Sequence, residues 1–567
     1  MPFTAIQRGL LVATVGVVAA APGVTHAATL SVIELTVQDV QVGLDSSTFT
    51  SADLVESFRA RIDTYEPTYN AFISFNPDAL ETAKALDKEY EATGPRSPLH
   101  GVPIVIKDAM DFAGLPTTNG FAGFSSTAGG VDLIPETDAA IVARLKAAGA
   151  VILGKTNLPA FAADGTRANT SFAGPTYNAY DLSLAPGASS SGTATAVSAS
   201  FAVLGMAEET GGSIQNPAAA QGLVGIKPTF ALVPNTGVAP LAGSTRDVVG
   251  PHAKTVYDAA VTLDVLAGPD PADPKTAAAE GKLPPGGYAA ALSDTALQGK
   301  RIGLFGPGFK NVQLTPETQT LYDQAVAVLQ AQGAQVVVDP FAGTSFASLS
   351  PTSGFDLRGL ETLPYDFNQY LKRLGESAAI NSLDEVEDVI GLDPFAEDQP
   401  LGSIGSSIPN FDKYLANPDT LPIKGFLEAR SELLGVFQDV IADNNLDGLV
   451  FPQMYEPVPS LTGTEEYAST TVSEINIMGT PGITVPAGYY SDGSPFSVIF
   501  LGEQFSEADL LGLAYDYEQA TMLRKAPTLV PEPSAVGGIV AFVGIGLLAR
   551  RRARSRDRQR RSCVKQH

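Results

Sequence analysis

The stretch from Asp138 to Leu153 constrains the fold more than any other part of the chain. Ile141, Val142 and Leu145 fall on one stripe of a helix over Asp138–Ala148. Gly149 stops that helix, and Val151-Ile-Leu153 is short, apolar and partly β-branched, the character of a buried strand. Upstream, Pro103-Ile-Val-Ile106 has the same character and ends at Lys107-Asp108. Helix, glycine, apolar strand is the rhythm of an α/β fold. The expectation is a single large α/β domain with a central mixed β-sheet flanked by helices.

Other segments extend this pattern without any repeat at a fixed period. Thr50 or Ser51 can cap an amphipathic helix that places Leu54, Val55, Phe58 and Ile62 on one face. Ala194–Leu204 reads as an Ala-rich buried helix, and Gly222–Ile226 as an apolar segment. Leu446–Phe451 and Gly482–Pro486 read as core strands, and Ser506–Gln519 as a late helix. Residues 268–300 form a polar, Pro-rich crossover. Residues 343–422 carry Ser, Pro and Gly clusters, so loops and short helices are expected there, contributing to a substrate pocket.

Charge and side-chain inventory narrow the chemistry. The net charge is −25, which repels phosphate backbones and argues against nucleic acid, including a transfer-RNA substrate. The single cysteine, Cys563, lies in the last residues, so the body has no disulfide and no thiolate nucleophile. Of four histidines, only His100 and His252 lie in the body, which argues against a multi-His zinc site. No cofactor or metal is expected.

A hydrolase built from this inventory needs a different base. A serine hydroxyl is a weak nucleophile until a base takes its proton. A buried lysine can do so, because desolvation disfavours its charged form. Lys107, at the end of an apolar strand, is so placed. Alone, a strand lysine is more often a snorkelling or paired residue. Two further elements are weak singly: the loop Pro186-Gly-Ala-Ser189-Ser-Ser-Gly192, which is usually a turn, and Glu209-Thr-Gly-Gly-Ser213. Two glycines before Ser213 let successive N–H groups point at one spot, as an oxyanion hole requires.

Taken together, these segments resemble the amidase signature family over nearly the whole body. The resemblance is carried by PGASSSGTATAVSASFAVLGMAEETGGSIQNPAAAQGLVGIKPT (residues 186–229), LHGVPIVIKD (99–108) and DAAIVARLKAAGAVILGKTN (138–157). It continues in GPTYNAYDL (174–182), RDVVGPHAKTVYDAA (246–260) and GTPGITVPAGYYSDGSP (479–495). The resemblance implies that Ser213 is the nucleophile, Ser189 the bridging serine, commonly preceded by a cis peptide bond, and Lys107 the terminal base. It implies an oxyanion hole from the backbone N–H groups of Thr210, Gly211, Gly212 and Ser213. The spacing from Ser189 to Ser213 agrees with the family's. Departures are Ala188 where Gly is usual, Glu208 and Glu209 where Thr and Asp are typical, Gln215 in place of a common Arg, and Ala160 in place of a frequent Glu. His100 is expected to serve a structural hydrogen bond and His252 to sit in packing or a loop.

The two ends read as targeting segments. Arg8, the apolar run Leu10–Ala21 and the small residues Thr25 and Ala27 have the order of a signal peptide over residues 1–27, the alternative being a buried N-terminal helix. The body then spans residues 28–525. Residues 526–567 hold Pro531-Glu-Pro533, a short apolar stretch Ala535–Ala549 and an Arg cluster. That order resembles a PEP-CTERM sorting signal, which implies an exosortase-type processing partner and a cytoplasmic Arg block; a plain tail anchor is the alternative. The body is expected beyond the inner membrane, transiently anchored and then at the cell surface or extracellular.

The expected function is an exported amidase that cleaves a carboxamide, either non-peptide or a C-terminal peptide amide. Its substrate would be a small molecule or a peptide. An esterase or acyltransferase on the same site, and an inactive amidase-fold surface protein, are the alternatives.

Overall fold

The strongly apolar strands expected around residues 104 and 152 lie side by side in the sheet. β1 (Phe72–Phe75), β2 (Pro103–Lys107), β3 (Val151–Thr156), β4 (Leu204–Glu209), β5 (Val224–Lys227) and β6 (Val248–Ala253) make its first half. β7 (Arg301–Leu304), β8 (Gln335–Val338), β9 (Gly448–Pro452), β10 (Gly482–Tyr489) and β11 (Pro495–Leu501) make its second half. The order across the sheet is β1-β3-β2-β4-β6-β5-β10-β11-β9-β7-β8. β2 runs parallel to both β3 and β4, while β4–β6, β6–β5 and β5–β10 are antiparallel. The sheet is therefore mixed. This computed structural model describes residues 30–349, 356–408 and 423–528.

Every residue of β2, β3, β4 and β6 is buried, which is why these strands read as runs and not as alternations. Helices cover the sheet. Val256–Leu266 and Glu507–Thr521 pack on each other and on β6 and β10, while Ser191–Ser198 packs on β4 and β2. The described residues from Ser31 onward form one compact unit. The single α/β domain with helices flanking a mixed sheet is thus the observed fold.

Local signals account for several elements. The helix Ser51–Tyr69 starts at Thr50, whose hydroxyl accepts from Asp53 N while Asp53 accepts from Thr50 N. Leu54, Val55, Phe58 and Ile62 are all buried on its inner face. The expected helix Asp138–Ala148 spans Ala140–Ala147 and stops before Gly149, whose φ is +89°.

One expectation is corrected. The Ala-rich helix ends at Ser198 and does not reach Leu204, because Leu204 opens β4 and pairs with Ile104. Parallel pairing overrides the helix preference of Leu-Gly-Met-Ala-Glu-Glu. For His252 the structure takes the packing alternative: it is fully buried in β6, opposite Gly205 and Gly225. Gly250 fits there because a Cβ would stand 1.9 Å from the Ile226 carbonyl oxygen.

Residues 343–422 contribute short helices at Leu363–Arg373, Glu385–Ile390 and Gly402–Ser407 among the described residues. The expected signal peptide and residues 529–567 of the expected sorting tail lie outside the described residues. Among the described residues no helix is long and apolar enough to cross a membrane.

Candidate active site

Lys107 is the last residue of β2, flanked on both sides by parallel strands, and its side chain is fully buried. Its Nζ lies 2.7 Å from Ser189 Oγ, 2.6 Å from Glu208 Oε2 and 3.2 Å from the Glu208 carbonyl oxygen. Glu208 is 1% exposed. An ammonium has three N–H donors, so these three acceptors use all of them. Burying a charge is tolerable only when it is paired and hydrogen-bonded, and Glu208 supplies that pairing.

Ser189 sits in the loop that enters the helix Ser191–Ser198, and the Ala188–Ser189 peptide bond is cis. The loop is pinned on both sides. Ala188 N donates to the Gly165 carbonyl at 3.2 Å, and Ser190 Oγ donates to the Glu208 carbonyl at 3.1 Å. Gly187 has φ +75°, and a Cβ there would stand 2.5 Å from Pro217 Cα.

Ser213 lies in the turn between β4 and the helix Gln215–Ala220. Glu209, at the end of β4, holds that turn. Its Oε2 accepts from Ile214 N at 2.8 Å and Gln215 N at 3.1 Å, and its Oε1 accepts from Gln215 Nε2 and from Asn476 Nδ2 at 2.7 Å. By contrast, the N–H groups of Thr210, Gly211, Gly212 and Ser213 donate to no acceptor among the described residues. Four consecutive free donors beside a serine are what an oxyanion hole requires. Among the described residues no hydrogen bond joins Ser189 Oγ to Ser213 Oγ. The structure thus joins Lys107 to Ser189 directly and leaves Ser213 unbonded on its turn; such contacts often tighten only when substrate binds.

His252 supports the same turn from β6. Its Nε2–H donates to the Ile214 carbonyl at 2.8 Å. Burial, with a smaller push from the charge of Lys107, lowers its pKa to about 4, so the ring is neutral at neutral pH. Asp247 accepts from Thr210 Oγ1 at 2.6 Å and from the Leu241 and Ala242 N–H groups. Burial, then the charge of Glu208, raises its pKa to about 7.

Residues 53–511 match the family model described as Amidase. The chain belongs to the amidase family. A probable amidase of Arabidopsis thaliana is 33% identical over 525 residues, covering 90% of this chain and 95% of that protein. A glutamyl-tRNA(Gln) amidotransferase polypeptide of Desulfatibacillum aliphaticivorans is 30% identical, covering 86% of this chain and 97% of its own length. The native peptide amidase of Stenotrophomonas maltophilia is 33% identical with a TM-score of 0.69, covering 87% of this chain and 98% of that one. The amidase is accordingly an amide-hydrolysing enzyme with the amidase-signature fold.

The departure at Gln215 has a clear place in this amidase. The side chain is buried, with Nε2 donating to Glu209 and Oε1 accepting from Thr471 Oγ1 at 2.9 Å and Gln453 Nε2 at 3.3 Å. An arginine, which carries donors only, could not serve Thr471 and Gln453 in this way. His100 serves the structural role expected, with Nε2 on the Leu86 carbonyl at 3.1 Å and Nδ1 accepting from Arg96 N.

A second buried network escapes any local reading of the sequence. Asp108 pairs with Lys155 at 2.8 Å, and Lys155 Nζ donates to Thr117 Oγ1 at 2.8 Å. Thr117 Oγ1 donates to Asp111, which also accepts from Tyr370 Oη at 2.8 Å and pairs with Arg373. The segment after Lys107 is thereby tied to the helix Leu363–Arg373. Phe367 of that helix joins Phe124 and Phe161 in an aromatic cluster. A lone Asp or Tyr in a Ser/Pro-rich stretch gives no advance sign of these partnerships.

Proposed function

We propose that this amidase cleaves a carboxamide through an acyl-enzyme on Ser213, with Ser189 as bridge and Lys107 as terminal base. The observation that carries the reading is the buried 2.7 Å contact between Lys107 Nζ and Ser189 Oγ, beside a turn whose four N–H donors have no acceptor among the described residues. An uncharged Lys107 draws the Ser189 proton, and Ser189 draws that of Ser213. Ser213 Oγ bonds the carbonyl carbon, and the N–H groups of Thr210, Gly211, Gly212 and Ser213 hold the oxyanion. The proton returns along the relay to the departing nitrogen. Water then frees the acid from Ser213.

The substrate class we infer is a non-peptide carboxamide or a C-terminal peptide amide. The likeness to the peptide amidase of Stenotrophomonas maltophilia supports it. The glutamyl-tRNA(Gln) amidotransferases among the relatives favour a transfer-RNA-dependent role instead. The net charge of −25 argues against docking a polyanion. Export and an exosortase-type partner are inferred from the order of features in residues 1–27 and 526–567 alone.

Fluorophosphonate labelling of the full chain, followed by a panel of amides and matched esters, tests the reading. The wild type should be labelled on Ser213 and release ammonia or an amine. Ser213→Ala should do neither. Turnover by that variant at the wild-type rate would end the proposal. Faster turnover of esters at equal acyl group would favour the esterase alternative.

A further inference from the structure

We propose that Glu208 takes up a proton from Lys107 inside the buried site, so that the base of the relay is the Lys107–Glu208 pair and not a lone amine. The inference rests on Lys107 being the terminal base. Glu208 acts through Lys107 and does not touch the reacting atoms, so it is a positioning residue in this reaction.

The geometry raises the problem that Glu208 answers. As an ammonium, Lys107 points one N–H at Ser189 Oγ and its other two at the Glu208 carbonyl and carboxylate. In that form it has no lone pair and cannot accept from Ser189. Burial makes direct release of the surplus proton to solvent unfavourable, since the two side chains are 0% and 1% exposed. The carboxylate 2.6 Å away does. Moving a proton from Nζ to Oε2 leaves the net charge of the pair at zero, so the dry surroundings resist it far less than they resist a single buried charge.

The step balances. An Nζ–H bond breaks as the Oε2–H bond of Glu208 forms, which frees the Nζ lone pair. Ser189 gives its proton to Nζ and takes that of Ser213 as Ser213 Oγ bonds the carbonyl carbon. On collapse the C–N bond breaks, the nitrogen takes a proton from Ser189, and Ser189 recovers one from Lys107. Glu208 then returns its proton to Nζ.

The other titratable groups facing the pair are accounted for. Thr210 Oγ1 reaches both Glu208 Oε1, at 3.2 Å, and Asp247 Oδ1. Burial and the charge of Glu208 hold Asp247 up at about 7, and burial holds His252 down at about 4, so both are mainly uncharged at pH 6. Asp108, the next residue along the chain, is turned to Lys155.

The test is the pH dependence of kcat/KM in Glu208→Gln, in full-length protein with the best amide of the panel. If Glu208 stores the proton, the neutral variant must lose it to solvent before it can work. The acidic limb should then move up by about one to three units, with activity recovering at high pH. Glu208→Asp, which keeps a carboxylate, should return the limb toward that of the wild type. A carboxylate that only steadied the ammonium would make the amine harder to deprotonate. Its removal would shift the limb down; that result, or an unmoved limb, would overturn the inference. Glu208→Thr gives the same readout should the Gln variant fail to fold. Loss of activity in Ser213→Ala with an unmoved limb in Glu208→Gln would remove this inference alone, whereas wild-type turnover by Ser213→Ala would remove the reading beneath it.

Discussion

Glu209 should prove to be the keystone of the turn that carries Ser213, and the structure sets the cost of its removal. Glu209, Ile214, Gln215 and Asn476 are all fully buried. Two backbone N–H groups converge on Oε2 and two side-chain amides on Oε1. In Glu209→Ala the amides have some recourse: Asn476 Nδ2 already reaches the Val472 carbonyl at 2.8 Å. The N–H groups of Ile214 and Gln215 have no other acceptor among the described residues, and a buried donor without a partner costs about 1–3 kcal/mol, so the pair sets a loss of roughly 2–6 kcal/mol. Lys227, lowered to about 8 by burial, would also lose a favourable charge. The released turn carries Ser213, and displacement by an ångström costs on the order of 100-fold in kcat. Glu209→Gln keeps one oxygen, which the immobile backbone donors should claim. Its stability loss should sit near the low end, about 2 kcal/mol, with most of kcat retained. Urea unfolding measures the first quantity; steady-state amide hydrolysis and the fluorophosphonate labelling rate measure the second. Wild-type kcat in Glu209→Ala, with unfolding free energy within about 1 kcal/mol of wild type, would refute the assignment.

Lys107→Met should lower kcat by about 10²–10⁴-fold. It should also destabilise the fold by about 3–5 kcal/mol, because Glu208 is left buried without its cation. Lys107→Met/Glu208→Gln should then recover stability in urea titrations without recovering turnover. His252 is depressed to about 4 in the fold, against 6.5 when unfolded. Its contribution is therefore fully present above pH 6.5 and lost as pH falls toward 4, by about 3 kcal/mol. Unfolding free energies of wild type and His252→Gln, compared at pH 7 and pH 4, should converge or cross in favour of the variant by that amount.

Legibility in the sequence followed the range of the interaction. The Thr50 cap is set by neighbours three residues away, and the β2 and β3 runs by their own side chains, so each is readable locally. The turn before Ser213 shows in its two glycines. β4 does not, because Met206, Ala207, Glu208 and Glu209 favour strand only once β2 and β6 are beside them. His252 reads as loop or packing because Gly250 and Pro251 precede it, yet the close approach of Ile226 is what places a glycine there. Glu208 looks like a surface acid until Lys107 is brought to it from 101 residues away. The role of the helix Leu363–Arg373 is hidden for the same reason, since Asp111 is its partner across 259 and 262 residues.

The distances along the chain have a consequence of their own. Lys107 meets a hydroxyl 82 residues downstream and a carboxylate 101 downstream, and they come together only when β4 docks against β2. Such long-range pairing is slow to form. Until that docking, Lys107, Ser189 and Glu208 stand apart, and a chain cut between positions 107 and 189 would carry the amine on one piece and both its partners on the other.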